Sequence, residues 1–193
     1  MLKKYFIVVF IVGCCSHTYA QAYEKKSSVI SVGYGVNNIW KALFKKSVLN
    51  GYYSSLGSAG PVTFIYEYGF HKRISAGVAI SYSSIKAVSN YGSFVNTEKL
   101  TNFSSLARVT YHVLNKEKWD GYLGVGAGYF KFNYTSKDNS GSSNGGSGIK
   151  VPGAFGYSGL GGAKYYFTPH LAGMAEVGFV AGSYGQLGLA YKF

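Results

Sequence analysis

At 193 residues, the chain has the length of a single domain. Its 27 glycines, 19 tyrosines and 13 phenylalanines, with only 13% charged residues, argue against a soluble helical protein and favour many short strands joined by turns. The net charge of +12 indicates an anionic partner.

The first twenty residues predict a secretory signal peptide. Lys3 and Lys4 precede an apolar run, residues 5–12, that is too short to span a bilayer as a helix, and small residues follow it. We expect cleavage after Ala20, which makes residues 21–193 one outer-membrane β-barrel domain. Beyond the signal, no apolar run is long enough for a transmembrane helix, so a membrane would have to be crossed by strands.

Two other processing sites remain open. Cleavage after Ala22 is a second candidate, and "IVGC" is similar to a lipoprotein signal in which Cys14 would carry the lipid. Cleavage after Ala20 removes both cysteines, so the mature chain has no thiol for a disulfide or a metal. It leaves 17 basic and 7 acidic residues, a net charge of +10. For an exported chain, this charge favours outer-membrane lipids and lipopolysaccharide phosphates over nucleic acid.

Eight segments then alternate apolar with small or polar side chains at a period of two, which is the period of a β-strand. They are Val29–Val36, Val62–Phe70, Ile74–Ser84, Thr101–Val113, Gly121–Tyr134, Ala154–Phe167, Leu171–Val180 and Gly185–Phe193. An apolar face and a small-or-polar face in each segment predict an all-β fold, an eight-stranded antiparallel up-and-down transmembrane β-barrel with its apolar faces outward.

The connections between these segments alternate in length. Strands 2 and 3, 4 and 5, and 6 and 7 are joined by short turns, whereas about 24, 16 and 18 residues separate strands 1 and 2, 3 and 4, and 5 and 6. Outer-membrane barrels have short periplasmic turns and longer outer loops, so both termini are expected on the periplasmic side. The connection at residues 181–184 is short for an outer loop, which leaves the facing ends of strands 7 and 8 uncertain.

The first long connection predicts an amphipathic helix from Asn38 to about residue 49, with Asn38 as a candidate N-cap. Trp40 and Phe44 lie on its apolar side, and Lys41 and Lys45 lie on its basic side. We expect these four side chains to contact lipid in the outer headgroup layer. The alternative is a lid over the barrel mouth.

Four charged residues fall on inward faces at similar heights: Glu67, Arg108, Lys164 and Glu176. Two are acidic and two are basic, and isolated charges inside a barrel would be very unfavourable. We therefore predict a paired interior cluster with a structural role. An ion or proton path is the alternative.

Nothing in the sequence indicates an enzyme or a cofactor. His71 and His170 fall in periplasmic turns and His112 falls near the periplasmic end of strand 4, far from the outer rim where a lipid-modifying enzyme would need a general base. Met174 is expected to fill the interior. The spacing of histidines and acids does not match a metal site.

The last eight residues, "QLGLAYKF", resemble the C-terminal recognition signal of outer-membrane β-barrels. Gln186, Gly188, Tyr191 and Phe193 occupy its polar, glycine, apolar and terminal aromatic places. The resemblance implies that the barrel-assembly machinery reads this strand and that Tyr191 and Phe193 direct insertion.

The mature chain also resembles the small eight-stranded barrels of the OmpA, OmpX and OmpW kind, with "YEYGFHKRISAGVAISYS" similar to their unit of strand 2, turn and strand 3. The resemblance implies an outer-membrane protein of a Gram-negative bacterium. The function we expect is non-enzymatic, structural or a surface interaction through the outer loops. Two alternatives are a small conduit for apolar or small solutes, as in the OmpW-like proteins, and a lipid-modifying enzyme.

Overall fold

The computed structural model describes residues 22–39, 41, 54–91, 94–138, 150–180 and 182–193, so the proposed signal peptide and Cys14 lie outside the described residues. Eight antiparallel strands form one closed barrel in chain order, with β8 paired to β1. The strands are β1 (Ser28–Asn38), β2 (Ser55–His71), β3 (Ile74–Tyr91), β4 (Phe94–Asn115), β5 (Trp119–Asp138), β6 (Lys150–Tyr166), β7 (Leu171–Val180) and β8 (Ser183–Lys192). The fold predicted from the sequence is confirmed.

The two-residue alternation builds the two surfaces of this barrel. Along β2, Val62, Phe64 and Tyr66 are exposed, whereas Thr63 and Ile65 are buried in the lumen. The other strands alternate in the same way, so large apolar side chains cover the outside, and the inside holds small and polar side chains together with apolar ones such as Leu106 and Phe130. Water-soluble monomers rarely expose a continuous apolar surface of this kind. Among the described residues, no helix is long and apolar enough to cross a membrane.

Three short turns, residues 72–73, 116–118 and 167–170, lie at one end of the barrel together with both chain ends of the described part. We call this the turn end and the opposite one the loop end. At the loop end, β7 and β8 are joined by residues 181–182 alone, which agrees with the short connection expected there.

At the loop end, the long connections are shorter than the sequence predicted. β3 and β4 pair without a break as far as Tyr91 and Phe94, so only residues 92–93 separate them where about 16 were expected. The other two connections shorten to residues 39–54 and 139–149. The expected strands stopped where outward apolar residues stop, but a hairpin ladder is held by backbone hydrogen bonds and continues with polar side chains.

The predicted loop helix is described only at its start. Residues 39 and 41 are helical, and the backbone N–H of Lys41 donates to the side-chain oxygen of Asn38 at 3.2 Å, which is N-cap geometry. Trp40, Phe44 and Lys45 lie outside the described residues.

Candidate functional site

The structure brings the four predicted interior charges together in the turn-end half of the lumen. Glu67 on β2, Arg108 on β4, Lys164 on β6 and Glu176 on β7 all point inward, and each is 1–4% exposed. β3 passes between the first two, where Gly77 pairs with Glu67 on one side and with Arg108 on the other. A side chain at Gly77 is excluded, because a Cβ there would overlap the carbonyl oxygen of Tyr66.

The charges pair two by two. The Lys164 Nζ lies 2.6 Å from the Glu67 Oε2, and the Arg108 guanidinium grips Glu176 with both Nη atoms, at 2.5 and 3.2 Å. The Arg108 Nε also lies 3.4 Å from the Glu67 Oε1, which joins the two pairs. Bidentate, charge-assisted hydrogen bonds are the strong ones, and they offset the desolvation of four buried ions.

Neutral side chains complete the hydrogen bonding of this cluster. The Tyr122 hydroxyl donates to Glu176 at 2.7 Å, the Gln186 side-chain amide donates to it at 2.6 Å, and the Thr110 hydroxyl donates to Glu67 at 2.9 Å. The Tyr122 ring also lies 4.7 Å from the Lys164 ammonium. None of the three residues was predicted from the sequence to join the cluster: Gln186 was assigned only to the C-terminal signal, although the alternation of β5 places Tyr122 two positions before inward Gly124. We call the four ions with these three partners the lumen network.

A second group of buried side chains, joined in a row by hydrogen bonds, lies nearer the turn end. The Ser75 Oγ is 3.1 Å from the His112 Nε2, and the His112 Nδ1 is 2.6 Å from the Asp120 Oδ1. All three residues are 1% exposed. The position of His112 near the periplasmic end of β4 was predicted from the sequence, but its hydrogen bonds to Ser75 and Asp120 depend on the register of three strands.

Residues 22–27 cover this group, and we call them the N-terminal strap. The Tyr23 ring stacks on the His112 ring at 3.5 Å, and its hydroxyl lies within hydrogen-bond distance of the backbone carbonyl oxygens of His71 and Ile74, at 2.9 and 2.7 Å. The side-chain amide of Asn115 holds both backbone polar groups of Tyr23. Burial, reinforced by the charge of Asp120, raises the pKa of Tyr23 to about 12, so its hydroxyl remains a donor at neutral pH.

The order Ser75, His112, Asp120 matches the hydrogen-bond order of a catalytic triad. A triad, however, needs room for a carbonyl group beside the serine oxygen. Here the strap lies over the three side chains on one side and the lumen network lies on the other, and their hydrogen bonds link β3, β4 and β5.

Above the lumen network, a cavity of about 10 Å³ is lined by nine residues that include Thr63, Arg108 and Gln186. That volume suits about one water molecule. The Thr63 Oγ1 and the Gln186 Oε1 have no protein partner among the described residues, so each is available to such a water.

The remaining candidates are placed as follows. His71 is exposed at the end of β2, His170 lies in the turn before β7 with its Nδ1 2.8 Å from the carbonyl oxygen of Lys192, and Met174 packs inside against Ile65. Among the described residues, no group of three histidines, cysteines or acids could hold a metal ion.

The residues predicted to form a C-terminal assembly signal divide between the two surfaces of the barrel. Gln186 is in the lumen network, whereas Tyr191 and Phe193 face outward in edge-to-face contact at 5.0 Å. The N–H of Phe193 donates to the carbonyl of Ser28 at the start of β1. At Gly188 the carbonyl of Val32 lies too close for a Cβ.

No family model and no curated protein matches the chain. Solved structures do. OprG from Pseudomonas aeruginosa has 10% identity and a TM-score of 0.52, with 89% of this chain and 97% of that one covered. Ail of Yersinia pestis has 15% identity and a TM-score of 0.46, with 88% and 99% covered. The N-terminal barrel domain of P. aeruginosa OprF has 14% identity and a TM-score of 0.43, with 89% and 100% covered. At these identities the likeness concerns the fold, which is that of the small eight-stranded outer-membrane barrels.

Proposed function

We propose that this chain is a non-enzymatic integral protein of the outer membrane of a Gram-negative bacterium, with a structural or surface-interaction role through its loop end. One observation carries the proposal: large apolar side chains cover the outside of all eight strands. Such a surface is stable only in contact with hydrocarbon. A closed barrel leaves no strand edge unpaired within the hydrocarbon. The turn end then faces the periplasm.

The filled lumen supports a structural role over a conduit. An eight-stranded barrel has an interior just wide enough for its side chains. Here Arg108, Lys164 and Tyr122 reach across it to partners on other strands, and the strap covers the periplasmic mouth.

The covered Ser75–His112–Asp120 chain supports a non-enzymatic protein. A serine nucleophile has to contact its substrate, and Ser75 is 1% exposed beneath the strap. Lipid hydrolysis would also call for such a site beside the acyl chains, whereas these residues face the lumen.

The partners that fit this proposal are outer-membrane lipids with lipopolysaccharide and, during biogenesis, the barrel-assembly machinery. Lipid contact follows from the apolar exterior. The assembly role rests on the resemblance of Gln186, Gly188, Tyr191 and Phe193 to the C-terminal signal.

Single-channel recording in planar bilayers tests the proposal. Protein whose folding is established by a mobility difference between boiled and unboiled gel samples is expected to give no discrete openings. Regular openings, or solute uptake into liposomes that contain the protein, would favour the conduit. Protein that does not enter bilayers at all would contradict the membrane location.

A further inference from the structure

Three lysines lie together on the outward face where β3, β4 and β5 continue past the apolar surface. Lys86 on β3 is the direct cross-strand partner of Lys99 on β4. Lys137 on β5 pairs with Thr97, which makes it the diagonal neighbour of Lys99. Direct partners lie about 5 Å apart at Cβ, and diagonal neighbours about 7–8 Å apart. We call Lys86, Lys99 and Lys137 the lysine triad.

The triad carries positive charge that is not paired by any acidic residue in the described part of the chain. All three lysines are exposed, and none forms a salt bridge with any residue that the structure describes. Glu98 alternates to the opposite face of β4, where the Asn96 side chain donates to it. Like charges directly opposite each other destabilise a β-ladder. A bound anion removes that penalty.

The triad lies at the height of lipid headgroups. Below the Lys86–Lys99 pair along the ladder come the Ser84–Thr101 pair and then the aromatic Tyr82–Phe103 pair, where the outward apolar surface of β3 ends. The four residue steps from Tyr82 to Lys86 span about 13 Å of strand, or about 10 Å of height at a barrel tilt of about 40°. The polar headgroup layer begins immediately outside the hydrocarbon core.

Among the described residues, this basic surface lies on the side of the barrel formed by β3, β4 and β5. Across the barrel, the loop ends of β7 and β8 contain no charged residue from Val177 to Gly185. Two hydroxyl side chains, Thr97 and Thr135, lie on the same face as the triad, because each pairs directly with one of its lysines. Ammonium groups and hydroxyls together form a donor set suited to phosphate oxygens.

We propose that the lysine triad binds the phosphate groups of a membrane lipid headgroup in the outer leaflet. This assignment rests on the proposed membrane location and deepens it by naming the surface of contact. Phosphate oxygens bridge the ammonium groups of Lys86 and Lys99, and Lys137 contacts the same headgroup from the next strand.

Native mass spectrometry of the protein in detergent micelles tests the site. The probes are lipid A with two phosphates and the same lipid after enzymatic removal of both. The phosphorylated lipid is expected to bind about tenfold more tightly or better, since each lysine near the surface adds to the attraction of an anionic lipid. Equal binding of the two lipids would overturn the proposal.

A triple variant, K86Q/K99Q/K137Q, is expected to lose this preference. Its matched control, K72Q/K116Q/K118Q, removes three exposed lysines from the turn end and should retain it. The single variant K99Q, which alters the central lysine only, should lose part of the preference if the triple variant folds poorly. Full retention of the preference in the triple variant or in K99Q would contradict the assignment. An equal loss of the preference in the control would also contradict it.

Two further measurements distinguish failure of the triad assignment from failure of the proposed membrane location. Inorganic phosphate at millimolar concentration should displace little of the lipid, and full displacement would indicate a site for free phosphate instead. The mobility difference between boiled and unboiled protein reports barrel formation independently of lipid binding. Its absence in the wild-type chain would speak against the proposed membrane barrel rather than against the triad.

Discussion

Arg108 holds the lumen network together because its guanidinium contacts both buried glutamates. Replacing it with Met leaves Glu176 buried without a cation, which is expected to lower the free energy of unfolding by about 3–5 kcal/mol. Urea titration of protein folded in micelles measures the change. Adding Glu176→Gln should recover a large part of it, because the remaining Lys164–Glu67 pair is balanced. A loss below about 1 kcal/mol in R108M would contradict this account of the network.

Gly77 is needed for close approach between strands. In Gly77→Ala the new Cβ would overlap the Tyr66 carbonyl oxygen, so β2 and β3 must separate beside Glu67. We expect a clear loss of folded protein on refolding into micelles, measured as the unboiled fast-migrating gel band. Gly159→Ala is the matched control, since nothing lies within 4 Å of a Cβ at that strand glycine. Equal folded yields for the two variants would refute the steric argument.

At the scale of single residues, strand alternation fixes the face of each residue, so the sequence predicted that four charges, Glu67 and Arg108 among them, point inward. The prediction left out Asp120 and Lys192, which are also buried. It did not predict that Tyr122 and Gln186 complete the hydrogen bonds of Glu176, because cross-strand register and barrel closure decide which inward residues meet. The stacking of Tyr23 on His112 had no periodic signal, since the strap is not a strand.

Among the elements, the N-terminal strap makes the sharpest prediction about access. In mature chain starting at residue 21, Ser75→Cys introduces the one thiol, because Cys14 and Cys15 precede it. That thiol is expected to react slowly with a maleimide in folded protein, and Tyr23→Ala should speed the reaction by removing the ring that covers His112. Lys72→Cys, in an exposed turn, should react quickly with or without Tyr23. Equal rates for the Ser75→Cys thiol in both backgrounds would show that the strap does not cover the site.

The last strand supplies a second prediction. Phe193 is 66% exposed on the outer surface and its N–H closes the β8–β1 seam at Ser28. Phe193→Ser should reduce assembly in cells, measured as the amount of folded protein in the outer-membrane fraction. Phe167→Ser removes a similarly exposed aromatic side chain, 60%, from a turn and should assemble nearly normally. Normal assembly of the Phe193 variant would contradict an assembly role for the terminus.

At the scale of the elements, the existence of each strand was predictable from the sequence, whereas the length of a strand was predictable only in part. β7 was predicted to its observed ends, Leu171–Val180, because a turn bounds it on each side. β3 was predicted to stop at Ser84 but continues to Tyr91. Beyond the apolar surface its residues no longer report hydrophobic alternation, while its backbone still pairs with β4.

For the whole molecule, the outward apolar surface predicts dependence on an amphiphile. The refolded chain is expected to be monodisperse in detergent and to aggregate when the detergent is removed, because water cannot accommodate that surface. Size-exclusion chromatography with light scattering measures this. A stable monomer in plain buffer would contradict the membrane assignment.

Uneven strand length gives the barrel a profile that a symmetric cylinder lacks. β3, β4 and β5 rise well beyond the last pair of β7 with β8, Val180 with Ser183. Viewed down the barrel axis, the molecule therefore has a tall lysine-bearing flank and a low flank with the exposed side chains of Val177 and Tyr184. A molecule that approaches the barrel within the membrane plane therefore meets lysines on one flank and exposed apolar side chains on the other.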